Sequence, residues 1–177
     1  RDGDVAIWLI DSDGVNPRKL VKGREPSFSP DGRRVAFTSS AFHDNDEIYL
    51  IDLDGSNMVR RTENMRKFDW FASWSPTGDR LAYNSEAFGG QELMVMRVGG
   101  EAKTRVTIAE KTYEQEPVWS PDGKGLAYAG KMGDDDYDIY IVGTAGFDLD
   151  DLESPLLPIN LTDNNDRDDM TPSWRSY

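Results

Sequence analysis

The sequence predicts an all-β fold, a β-propeller of four-stranded antiparallel blades, from two observations. One phrase recurs along the 177 residues at steps of 46, 45 and 55. The segments between its copies alternate apolar and polar residues at spacing two and are rich in β-branched and aromatic side chains, as half-buried strands require.

The recurring phrase reads EPSFSPDG from Glu25, FASWSPTG from Phe71, EPVWSPDG from Glu116 and TPSWRSY from Thr171. It places Phe28, Trp74, Trp119 and Trp174 at one position of the repeat. A single such site per blade predicts packing between blades. Pro followed by Asp-Gly or Thr-Gly presets a tight turn, with the Gly taking positive φ, so each of the first three phrases closes a hairpin from a first strand to a second, while the fourth, lacking that turn, reads as a terminal strand. The second strands are RVAFTSS, RLAYNSE and GLAYAGK. Val35 and Phe37, Leu81 and Tyr83, and Leu126 and Tyr128 share one face there.

A second phrase, IWLIDSDG from Ile7, IYLIDLDG from Ile48, LMVMRVGG from Leu93 and IYIVGTAG from Ile139, gives each unit its third strand and a turn. Asp-Gly suits the hairpin turns that match strand twist. Short runs MVRRT, TRVT and PINLT supply the fourth strand. Units of about 45 residues with four short strands have the period of a propeller blade.

These phrases resemble the TolB-like propeller repeat, a WD-repeat-like unit carrying PSWSPDG, a strand such as RIAF, then IYVMDLDG and LT. The resemblance implies a ring of six or seven blades and protein-protein interaction outside the cytoplasm, in the periplasm or secreted. The same repeat is similar to propellers of prolyl oligopeptidase-type serine peptidases, which gate substrate, and to carbohydrate-active propellers. These stay as alternatives to a non-enzymatic binding module.

On this reading residues 1–177 form one propeller domain or fragment. It comprises a partial blade over 1–22, blades over 23–62, 63–108 and 109–162, and a ring-closing strand within 163–177. Two strands, twelve and one make an expected fifteen, the carboxyl-terminal portion of a larger ring unless self-association completes it. An insertion at 145–159 carries Leu149, Leu152, Leu156 and Leu157, a candidate apolar lip.

Composition narrows the partners. The chain has 33 acidic against 20 basic residues, a net charge of -13, which repels phosphate backbones and anionic membrane surfaces. No nucleic-acid partner and no membrane insertion are expected, and a protein partner, a basic one above all, is. With no cysteine and His43 as the one histidine, no nucleophile-base-orienter set can be assembled, so no catalytic residue is assigned.

Strand alternation sorts the loops onto two faces. Links from first to second and from third to fourth strand share one face, here called the turn face. Links from second to third strand and between blades share the other, the loop face. The loop face gathers His43, Asp44, Asp46, Asp69, Glu114, Asp134, Asp135, Asp136, Asp166 and Asp168, a candidate acidic binding surface. No cofactor is assigned. Asp134, Asp136 and Asp138 are weak candidates for calcium, which needs several converging oxygens.

Overall fold

A computed structural model describes residues 5–64, 66–100, 103–107, 112–132, 136–144, 157–162 and 168–174. Each Ser-Pro-Asp-Gly-like turn folds in the same way. Ser29 O accepts from Gly32 N at 2.9 Å, and the Ser29 hydroxyl donates to Asp31 at 2.6 Å while accepting from Arg34 N. Gly32, Gly78 and Gly123 take φ of 66°, 72° and 70°, the left-handed region a Cβ disfavours. The hydroxyl bond from Ser29 holds the Asp31 carboxyl below its ordinary range.

These turns and the Asp-Gly hairpins link fourteen strands among the described residues. β1 (Ala6–Leu9) and β2 (Arg18–Lys22) form a two-stranded sheet. The second sheet orders β3 (Arg24–Phe28), β4 (Arg34–Ser39), β5 (Glu47–Asp52) and β6 (Val59–Arg60) as neighbours in sequence. The third does the same with β7 (Asp69–Trp74), β8 (Arg80–Ser85), β9 (Glu92–Arg97) and β10 (Lys103–Arg105). The fourth comprises β11 (Thr112–Trp119), β12 (Gly125–Met132), β13 (Asp138–Gly143) and β14 (Ile159–Asn160). All these pairings are antiparallel, so the expected class, all-β blades of a propeller, is the one observed.

Hydrophobic clusters lie between successive sheets, which is how blades must bury both faces. Ile7 and Val21 pack with Val35, Phe37, Tyr49 and Ile51. Ile48 and Leu50 meet Trp74, Leu81, Tyr83 and Met96. Leu93, Val95 and Val106 meet Trp119, Leu126, Tyr128 and Val142.

The recurring indole is the clasp between neighbours. Trp74 Nε1 donates to Ser27 O at 3.0 Å, Trp119 Nε1 to Ser73 O at 3.1 Å, and Trp174 Nε1 to Val118 O at 3.1 Å. Each indole thus reaches the first strand of the preceding unit.

Among the described residues 168–174 no strand is assigned, and the rest of the span expected to hold a ring-closing strand, 163–167 and 175–177, lies outside the described residues. Each first strand also carries a bulge, between Arg24 and Ser27, Trp70 and Ser73, and Gln115 and Val118. Glu25, Phe71 and Glu116 sit there at φ of 53°, 55° and 56°, and Thr171 repeats the conformation at 56°. Of the candidate lip, Leu149, Leu152 and Leu156 lie outside the described residues, and Leu157 is exposed.

Candidate binding face

The loop face is tied together blade by blade. Asp69 N donates to Asp46 O at 2.9 Å and Asn45 Nδ2 donates to Asn64 O at 2.9 Å, so the β4–β5 loop is bound to the connection leading into β7. Glu114 N repeats the first bond to Gln91 O at 2.9 Å one blade on.

Several of its carboxylates are internal. Glu47 is fully buried and accepts from Asn45 Nδ2 at 2.9 Å, Arg60 Nη2 at 3.0 Å, Thr62 Oγ1 at 2.5 Å and Asn64 N at 3.0 Å. Glu92 pairs with Arg105 at 3.0 Å in the same place one blade later. The Thr of each fourth-strand run completes the node. Thr62, Thr107 and Thr162 accept from Ile48 N, Leu93 N and Ile139 N, and donate to Glu47, Glu114 and Asp138.

This corrects the picture of an open acidic face at two of its candidates. Asp69 and Glu114 are buried, Asp69 accepting from Asn64 Nδ2 at 2.6 Å and Glu114 from Leu93 N at 3.0 Å and from Thr107. They occupy equivalent positions of two blades, and burial of a charge is tolerated only with such partners.

Burial raises the Asp69 carboxyl from 3.8 to about 6, against the hydroxyls of Ser85 and Thr62, which pull it down, and with the Glu47 charge, which adds to the rise. An acid that holds its proton more tightly when folded favours folding fully below 3.8, and that contribution is lost as pH rises through about 6. Urea unfolding across this range should show that decline in the wild type. Asp69→Asn should flatten it, and an unchanged slope would contradict the assignment.

The remaining candidates are placed differently. His43 and Asp44 are exposed, with His43 Nδ1 2.6 Å from the Tyr49 hydroxyl. Asp46 is half-buried and paired with Arg24. Asp136 and Asp168 are exposed, Asp168 accepting from Tyr137 N at 3.0 Å. Asp138 accepts from Asn160 Nδ2 at 2.8 Å and Thr162 Oγ1 at 3.1 Å. Asp134, Asp135 and Asp166 lie outside the described residues. Among the described residues no group of three or more acidic or His side chains is placed to hold a metal ion. On the turn face, the Asp11 and Asp52 carboxylates accept from Asn16 and Asn57 within their own turns.

Sequence reasoning missed a cleft of about 300 Å³ on the loop face, between the second and third sheets. Phe68, Trp70 and Phe71 line it with aromatic surface, and Glu25, Asp46 and Glu86 with carboxylates. Arg24 adds one guanidinium, already paired with Asp46 and 3.4 Å from Glu25. Glu25 also fixes the wall, because its Oε2 accepts from Phe71 N at 3.2 Å and from Thr38 Oγ1 at 2.8 Å. Phe68 is exposed, and Trp70 and Phe71 are half-buried. The sequence signal was the break from the repeat, since Phe68 and Trp70 stand where the preceding unit has Lys22 and Arg24.

Comparison with known proteins places these features. A family described as the TolB beta propeller domain matches residues 22–154. An uncharacterised protein of Agrobacterium fabrum is 31% identical over 142 residues, covering 72% of this chain and 48% of its own length. An uncharacterised peptidase of Bacillus subtilis, YuxL, is 28% identical over 134 residues, covering 71% of this chain and 20% of its own length. The crystal structure of TolB from Acinetobacter baumannii superposes with a TM-score of 0.66 at 28% identity, covering 78% of this chain and 35% of that one. The chain therefore spans about half the length of the Agrobacterium relative and a fifth of the peptidase.

Proposed function

Because this chain belongs to the TolB β-propeller family, we propose that it is a non-enzymatic binding module that docks a protein partner on its loop face, in the periplasm. The observation that carries the reading is the cleft. The strands are consumed by packing between blades, whereas the loop face retains an accessible aromatic recess between two rigid sheets. Aromatic side chains of this kind anchor protein interfaces at low entropic cost. The exposed carboxylates of Asp44, Asp136 and Asp168 on the same face favour a basic partner, and the acidic chain would speed its approach at low salt.

The experiment compares three immobilised proteins exposed to one bacterial periplasmic extract: wild type, the loop-face double variant Phe68→Ala with Trp70→Ala, and the turn-face variant Asp54→Asn. The reading requires a protein retained by the wild type and by D54N and lost from the double variant, with the folding of all three checked by thermal melting. Retention that followed the turn face instead would contradict it.

The similarity to the Bacillus peptidase favours a second reading, in which the propeller gates substrate for a hydrolase elsewhere in its parent protein. Turnover of a chromogenic peptide by that parent, altered by loop-face substitutions, would support this reading over the first.

A further inference from the structure

We propose that the cleft between the second and third sheets takes a cationic side chain, a guanidinium or ammonium group, presented by the partner protein. This rests on the docking reading above and names the chemistry of what docks.

The repeat supplies the argument. Tyr113 lies 45 residues beyond Phe68, and Lys131 lies 45 beyond Glu86, so the two pairs occupy equivalent places in adjacent blades. In the fourth sheet the Lys131 ammonium sits 5.6 Å from the Tyr113 ring centre and 5.1 Å from that of Tyr137. That is a cation held over aromatic faces by the chain itself. One blade earlier the aromatic position is kept, Trp70 and Phe71 add further ring surface, and a carboxylate replaces the ammonium. At the Glu86 position the site has no counterpart of the Lys131 ammonium, and its one cation, Arg24, is held by Asp46 and Glu25.

Charge agrees with this. Three carboxylates line the cleft against one guanidinium, and Arg24 is engaged with Asp46 and Glu25. Among the described residues the Glu86 carboxylate has no ion-pair or hydrogen-bond partner, although its backbone N donates to Phe68 O at 3.0 Å. Arg66 and Lys67 are exposed nearby in sequence but do not line the recess. At about 300 Å³ the volume is at the small end of ligand pockets, which suits one long side chain better than a whole small-molecule ligand. An anion would meet the carboxylates, and an apolar group would leave them desolvated without a partner.

The test is a nuclear magnetic resonance titration of the full chain with the capped pentapeptide Ser-Gly-Arg-Gly-Ser, its lysine analogue, and its neutral citrulline isostere. Both cationic peptides should shift the Trp70 indole N–H and the Glu86 amide saturably, and the citrulline peptide should bind about tenfold more weakly. Glu86→Gln should weaken the arginine peptide about fivefold, with Asp54→Asn leaving it unchanged. Equal binding of the citrulline peptide, unaltered binding by E86Q, or shifts spread over Asp44, Asp136 and Asp168 without Trp70 would each overturn the proposal. A partner captured through the loop face together with a pentapeptide that does not bind would overturn the cationic anchor and leave the docking reading standing.

Discussion

Replacing Trp119 by Ala is expected to destabilise the domain by about 3–5 kcal/mol, the cost of truncating a buried Trp. Its indole is only 7% exposed and packs with Leu93, Val95 and Val106 of one sheet and Leu126, Tyr128 and Val142 of the next. Its loss would open a cavity in the cluster packed between the third and fourth sheets. The indole N–H also donates to Ser73 O, so truncation leaves a backbone carbonyl without its donor. Trp119→Phe separates the two effects, since it keeps an aromatic ring and removes the hydrogen bond, and it should cost markedly less than the Ala variant. Urea midpoints with an unchanged slope check both values, and equal losses in the two variants would contradict the division.

Glu47→Leu is expected to cost about 3–5 kcal/mol, the penalty for breaking a buried pair by removing one partner. The substitution is similar in bulk, so packing is not the main loss. Four donors, from Asn45, Arg60, Thr62 and Asn64, converge on this carboxylate, and each would be left facing an apolar group. Substituting Arg60 by Leu as well should recover only part of the loss, because Asn64 N still lacks its acceptor. The four variants of this double-mutant cycle, measured by chemical denaturation, should therefore be non-additive. Strict additivity would mean that Glu47 and Arg60 act independently.

The fold was legible because its information is local and repeated. Pro and Gly in the SPDG phrases, Asp-Gly in the hairpins and period-two alternation each specify a turn or a strand without reference to distant residues. The bulges were not legible, since Glu25, Phe71, Glu116 and Thr171 share no chemistry that announces a left-handed conformation. There the tertiary arrangement of the first strand overrides residue preference.

The candidate face was harder for a related reason. Acidic residue type signals exposure, which holds for Asp44 and fails for Glu47, Asp69, Glu92 and Glu114. Recurrence separates them. Glu47 with Glu92, and Asp69 with Glu114, return at the blade period and serve the node that every blade builds. Trp70 and Glu86 depart from what both neighbouring units carry, Arg24 and Gln115 at the one position and Ser40 and Lys131 at the other, and they meet Phe68 at the cleft. In a repeat protein, positions that keep the period hold the fold, and functional candidates are to be sought where it is broken.

The most direct test of a docking loop face uses the absence of cysteine from the chain. Single variants Arg66→Cys on the loop face and Asp54→Cys on the turn face, each labelled with a benzophenone maleimide, would be irradiated in the presence of the captured partner. A crosslinked product from position 66 and none from position 54 is the predicted result. A product from position 54 alone, or equal yields from both, would contradict docking on the loop face.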